Sequence, residues 1–196
     1  MTALPEKLQT YDALLKKWQK RVNLVSNATL DNTTARHFED SLQILNHLPS
    51  QTKSLYDLGS GGGFPGLVIA TQRPGIDCTL IEASQKKCNF LTTVARELKL
   101  KNVIIHPRRI EDMVNILPPP DVVTARALTS LTRLFELTLP WAGSHKTLRY
   151  LLLKGETAQQ EIDEALKQFD FQATCHTSLT HAQGQLLDIR NVTLKS

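Results

Sequence analysis

The sequence predicts an α/β fold: a mostly parallel seven-stranded sheet with helices on both faces, an antiparallel C-terminal edge and an N-terminal helical cap. Three observations predict it. From Leu55 onward, short apolar runs alternate with segments of helical periodicity, the pattern of a parallel sheet. The first of those runs passes directly into a glycine cluster and then a helix. The last two runs follow one another with only a polar turn between them, as an edge hairpin would.

Taken in order, Leu4, Leu8, Tyr11, Leu14, Leu15 and Trp18 recur at helical spacing and form one apolar stripe, with Lys7, Lys16, Lys17 and Lys20 largely opposite. A break is expected around Asn23 to Asp31. A second helix then covers Thr33 to Leu48, burying Phe38, Leu42, Leu45 and Leu48, and Pro49 ends it. These residues, 1–50, are the cap; 51–196 are the sheet domain. Strands are expected at Ser54 to Leu58, Asp77 to Ile81, Val103 to His106, Asp121 to Ala125 and Leu148 to Leu153, the fourth entered through Pro118-Pro119-Pro120. Helices are expected from Phe64 to Thr71, Ser84 to Leu98, Leu131 to Leu139 and Glu156 to Phe169. Gln172 to Ser178 and Gln185 to Thr193 form the closing hairpin.

Bulk properties narrow the function. A chain of 196 residues suits one such domain with a small appendage. No apolar run is long enough for a bilayer and the N-terminal stretch lacks a signal-peptide core, so a cytoplasmic protein without a membrane partner is expected. Cys78, Cys88 and Cys175 are widely spaced and read as free thiols. The six histidines lack ligand spacing, so no metal is expected. A net charge of +4 is compatible with a polyanionic partner without establishing one.

The informative stretch is Leu55-Tyr56-Asp57-Leu58-Gly59-Ser60-Gly61-Gly62-Gly63-Phe64-Pro65-Gly66. Glycines allow a tight turn and a close approach to a ligand at a helix N-terminus. Gly61-x-Gly63-x-x-Gly66 also satisfies the dinucleotide fingerprint, a weak match when alone. Asp57, two residues before the first glycine, separates the readings. A carboxylate there would repel a pyrophosphate, and Asp-x-Gly-x-Gly resembles the first motif of class I methyltransferases, whose cofactor is S-adenosylmethionine. Glu82, ending the second strand, is placed to bind ribose hydroxyls. Asp57, Gly59, Ser60, Gly61, Gly63 and Glu82 are therefore the expected cofactor set. Without a Gly-Lys-Ser/Thr, a P-loop is excluded. Ile110 and Glu111, beyond the third strand, are candidates for an adenine pocket, and Arg126, ending the fourth, for the active-site mouth.

With these residues together, the sequence is similar to the bacterial small-subunit ribosomal RNA guanine-N7 methyltransferases, the glucose-inhibited division protein B family. Tyr11-x-x-Leu14-Leu15-x-x-Trp18, Asn23-Leu24-Val25-Ser26, Arg36-His37-x-x-Asp40-Ser41-Leu42, the glycine loop with Pro65, Lys86-Lys87-x-x-Phe90-Leu91, Arg109-Ile110-Glu111, Arg126-Ala127 and Lys154-Gly155 carry the resemblance in order. It implies a class I methyltransferase fold, contacts from Gly59, Phe64, Ile110, Glu111 and Arg126 to S-adenosylmethionine, and a guanosine in the decoding region of 16S ribosomal RNA as substrate. The implied partner is 16S rRNA or the 30S ribosomal subunit, met by a monomer. Gln19 stands where the family commonly has Asn, and Gly184-Gln185 replaces a position that often carries Arg, weakening the case for an RNA contact from that edge.

Guanine N7 has a lone pair and no proton to lose, so methyl transfer to it needs alignment rather than a base. Arg126 is the expected catalytic residue, hydrogen-bonding the cofactor or guanine O6, since a contact at N7 would block attack. Arg36, His37, Lys86 and Lys154 are the expected phosphate contacts, with Lys87, Arg108 and Arg109 as further candidates. The alternatives are a methyltransferase for another RNA, a protein or a small molecule, and a non-catalytic RNA-binding module on the same fold.

Overall fold

Strand β1 (Ser54–Leu58) runs through the middle of the sheet because its residues are apolar towards both faces. The computed structural model describes residues 4–26, 34–180 and 182–195. Parallel to β1 run β2 (Asp77–Ile81) and β3 (Val103–His106) on one side, and β4 (Val122–Arg126) and β5 (Arg149–Lys154) on the other. β6 (Phe169–Thr177) and β7 (Gln185–Leu194) complete seven strands in the order β3-β2-β1-β4-β5-β7-β6. β7 lies antiparallel to both β5 and β6. The order reverses between β1 and β4, and the carboxyl ends of strands at such a switch point are where ligands bind in open sheets.

Each face of the sheet has its own core. Leu55, Cys78, Leu80, Val122, Leu151 and Leu153 face α1 (Glu6–Gln19), α3 (Gly66–Gln72) and α4 (Gln85–Glu97). Tyr56, Leu58, Ile81, Val123, Tyr150 and Leu152 face α5 (Ile110–Met113), α6 (Leu131–Ser144) and α7 (Ala158–Ala165). The expected strands β1, β2 and β3 match residue for residue. Helix α6 runs five residues beyond Leu139 and through Pro140, because Trp141 and Ala142 bury into the second core and Trp141 Nε1 donates to the Leu117 carbonyl at 3.0 Å. α7 stops at Ala165 rather than Phe169. Phe169 starts β6 instead, paired with Leu194 and packed edge-to-face on Phe135.

The cap shares the first core. Leu8, Tyr11 and Leu15 of α1 are buried in it and Leu4, Leu14 and Trp18 pack against it, as the stripe predicts. The expected second helix is composite: a π-helical stretch, Thr34–Glu39, then α2 (Asp40–Leu42), then a 3₁₀ turn, Gln43–Asn46. Most of the expected break lies outside the described residues. Its first part, Asn23 to Ser26, is held by Gln19, whose Oε1 accepts from the Leu24 and Val25 amides at 2.9 and 3.1 Å and whose Nε2 donates to the Val25 carbonyl at 2.7 Å. Asp40 Oδ1 accepts from Gln43 Nε2 at 2.6 Å and from the Ser178 and Thr180 hydroxyls at 3.1 Å each, tying the cap to the β6–β7 turn.

Tyr11 joins the cap to the glycine loop. Its buried hydroxyl donates to the Gly62 carbonyl, and its ring stacks parallel on Phe64 at 5.2 Å. Burial raises the phenol's pKa well above the ordinary value, more than the nearby Arg126 charge lowers it, so it stays a donor. Tyr11→Phe removes the donor and leaves a carbonyl short of its partner, at a cost of about 1–3 kcal/mol. A melting temperature within error of the parent in thermal denaturation would contradict this coupling.

Candidate active site

Residues at the carboxyl ends of β1 and β4 enclose a cavity of about 810 Å³, within the usual range of about 300–1,000 Å³ for small-molecule sites. Its walls are Gly59 to Gly62 and Phe64 of the glycine loop, Arg126 to Thr129 beyond β4, Leu153 to Gly155 beyond β5, and Asn23 to Ser26 with His37 from the cap. Sequence-distant segments converge because all five parallel strands point the same end at this mouth.

The loop's conformation explains its glycines. Gly59 turns at a φ of +63°, a left-handed value costly for side chains, while its amide donates to the Ile81 carbonyl at 2.8 Å. A Cβ at Gly63 would run into the Tyr11 hydroxyl. The turn is therefore folded onto β2 and the cap as well as opened to the cavity.

Asp57 lies beneath the loop, fully buried, and does not border the cavity. Its Oδ1 accepts from the Thr124 hydroxyl of β4 at 3.0 Å, in register with the pairing of the two strands. Oδ2 completes no hydrogen bond among the described residues; a Cβ on Gly66, the first residue of α3, would sit 2.7 Å from it. The carboxyl thus takes the place at the helix start that a dinucleotide's pyrophosphate would need. Burial pushes its pKa up to about 6, opposed by Ser60, Thr124, the Gly66 amide and the positive charge of Arg126.

Glu82 is buried at the end of β2 and accepts from the Gly61 amide at 2.9 Å and the Ser84 amide at 2.8 Å. It stands behind Gly61, one residue's thickness from the cavity. Ile110 and Glu111 lie in α5, a short helix absent from the sequence reading; Ile110 is buried in the second core, while the exposed Glu111 reaches Arg133 at 3.5 Å. Neither borders the cavity. Gly59, Ser60, Gly61, Phe64 and Arg126 do. Gly63 is turned away, against Tyr11 and Leu67.

The basic candidates separate sharply. Lys86 is exposed on α4 and Lys87, half-buried beside it, lines the cavity. Lys154 also lines it, but its ammonium donates to the Thr129 carbonyl at 2.8 Å and to Glu161 Oε2 at 2.6 Å, and Glu161 in turn accepts from the Leu131 amide. His37 is buried and paired with Arg126. The backbone of Arg36 lies in the π-helical stretch; its side chain is outside the described residues. Sequence reasoning missed Thr124, Glu161 and the clasp of Gln19. Only contacts across the fold reveal them.

Cofactor chemistry can be tested against these residues. With the Asp57 and Glu82 carboxyls directly behind it, the glycine loop disfavours a pyrophosphate at the helix start and suits a zwitterionic, sulfonium-bearing ligand such as S-adenosylmethionine. Among the described residues, no cluster of three histidine, cysteine or acidic side chains could hold a metal, and no helix is long and apolar enough to cross a membrane.

Asp57 makes stability pH-dependent. With a folded pKa raised from 3.8 to about 6, its contribution is greatest at low pH and is lost as pH rises through about 6. Relative to Asp57→Asn, the parent should therefore gain about 1.4 kcal/mol of stability in thermal denaturation between about pH 7.5 and pH 5. A difference that does not change with pH would show that Asp57 keeps an ordinary acidity.

The family model described as rRNA small subunit methyltransferase G (GidB) matches residues 4–192. A protein named ribosomal RNA small subunit methyltransferase G from Parvibaculum lavamentivorans is 41% identical over 190 residues, covering 95% of this chain and 83% of that protein. The protein of the same name from Dinoroseobacter shibae is 39% identical, with 93% of each chain covered. Among solved structures, the O-methyltransferase TomG from Streptomyces achromogenes, in complex with S-adenosylmethionine, superposes with a TM-score of 0.64 at 13% identity, covering 97% of this chain and 92% of that one. That likeness shows the class I methyltransferase fold, and the sequence matches show the family: this chain belongs to the rRNA small subunit methyltransferase G (GidB) family.

Proposed function

We propose that the protein transfers a methyl group from S-adenosylmethionine to N7 of a guanine in 16S rRNA. The reading is supported by family membership over nearly the whole chain, together with a cavity whose floor is the glycine loop. In this reading the protein acts as a cytoplasmic monomer on 16S rRNA, free or within the 30S subunit. Residues 1–50 serve as a cap over the site and 51–196 carry the transfer.

S-adenosylmethionine, when bound, supplies an electrophilic methyl on a sulfonium sulfur. Gly59, Ser60, Gly61 and Phe64 of the cavity would hold its methionine end, while its ribose and adenine would extend beyond the cavity towards Glu82 and towards Ile110 with Glu111, and Asp57 braces the loop from below. Guanine N7 needs no deprotonation, and among the described residues that line the cavity each acid and histidine is already engaged. Asp40 accepts from three side chains, Glu161 holds Lys154, and His37 Nδ1 meets Arg126. The residues then act by orientation and by excluding water. Arg126 would donate to guanine O6 or to the cofactor, leaving the N7 lone pair open.

Mapping N7-methylguanosine in 16S rRNA from cells lacking the gene should show loss at one guanosine, restored by the parent gene; an unchanged methylation pattern would sink the reading. In the same assay Arg126→Ala should reduce turnover on the order of 100-fold.

The lysines should part company. Lys86→Ala and Lys87→Ala should each flatten the salt dependence of RNA affinity by about 0.7 in logarithmic slope. Lys154→Ala should instead lower the melting temperature, because it strands Glu161. Equal effects of all three on the slope would make Lys154 a phosphate contact after all.

A further inference from the structure

Arg126 lines the cavity with its guanidinium held by the cap. Its Nη1 lies 2.7 Å from His37 Nδ1, and its guanidinium carbon sits 4.9 Å from the centre of the Phe64 ring. The His37 ring stacks on that same Phe64 at 5.1 Å and is only 7% exposed. Cap, glycine loop and the end of β4 thus meet in three side chains. A guanidinium has only donors and keeps its proton in proteins. His37 Nδ1 must therefore be the acceptor, and the ring must be neutral with its proton on Nε2.

From this geometry, and resting on the function proposed above, we infer that His37 is a positioning residue that aims Arg126 for methyl transfer. A guanidinium pinned at one nitrogen and held over an aromatic ring has its orientation restrained. Arg126 is then held at the cavity in one pose, without reordering a long side chain at each turnover. The histidine is itself held: Ser41 Oγ donates to its carbonyl at 2.6 Å, and it lies in the π-helical stretch Thr34–Glu39, a geometry frequent at functional sites. A phosphate contact, the role expected from sequence, asks for a charged and exposed ring; His37 is buried and spends its lone pair inside the protein.

Long-range ¹H–¹⁵N correlation spectra of the full-length protein test the assignment without reference to activity. At about pH 7.5 the expected pattern is a bare Nδ1 and a protonated Nε2, with the Nδ1 resonance shifting in Arg126→Ala. A protonated Nδ1 would overturn the inference.

Kinetics supply the second arm. His37→Phe keeps a ring against Phe64 but removes the acceptor, and should lower kcat at least about tenfold while leaving KM for the RNA within about threefold. His37→Asn, whose Oδ1 can stand near the place of Nδ1, should recover kcat to within about threefold of the parent. In the Arg126→Ala background His37→Phe should add no further loss. Independent, multiplying losses, or a raised KM at unchanged kcat, would refute positioning. If the parent methylates no ribosomal RNA, the proposed function fails and the spectra alone decide the His37 assignment.

Discussion

A single buried carboxyl group organises the centre of this molecule. Asp57 belongs to β1, bonds to Thr124 of β4 and lies against Gly66 where α3 begins. Two walls of the cavity, the glycine loop and the 126–129 segment, start from the strands it joins. The carboxyl is kept although burial raises its pKa to about 6, which identifies it as a group whose position matters more than its comfort. The glycine loop can cross it closely because Gly66 has no side chain to displace it.

Around that centre, polar contacts divide into two kinds. Some close the loops that form the cavity: Glu82 on Gly61 and Ser84, Lys154 with Glu161 on the 129–131 segment, Gln19 on the 24–25 segment. Others connect the cap to the sheet domain, Tyr11 through Gly62 and His37 through Arg126. Two basic residues that line the cavity, Lys154 and Arg126, are therefore spent on internal contacts. Lys87, which lines the cavity, and Lys86 next to it on α4 are a different case, with no comparable partner among the described residues.

The fold was legible in the sequence wherever burial has a simple period. β1, β2 and β3 are short apolar runs between glycines, prolines and polar residues, and nothing competes with that pattern. Helix α6 was misread at Pro140 because a breaker's local cost was outweighed by burying Trp141, a tertiary gain invisible in a window of residues. The composite cap helix was misread for a similar reason: its apolar spacing is helical, but its winding changes from π to α to 3₁₀. In the site, the glycine loop and its two acids were legible because they are contiguous or end a strand. The tie between His37 and Arg126 spans 89 residues and leaves no local trace. Lys154 looked like a phosphate contact because a lysine's partner cannot be seen from its neighbours in sequence.

The bonds from Asp40 to Ser178 and Thr180 join positions 138 and 140 residues apart. Chain closure on that scale sets an order of assembly. During synthesis, β1 to β4 can pair as they emerge, but the Asp40 tie of the cap cannot form until the β6–β7 turn has been made. A chain still lacking that turn would hold its cap through Tyr11 and His37 alone. Full closure of the site would thus wait for that turn, long after the glycine loop itself has been translated.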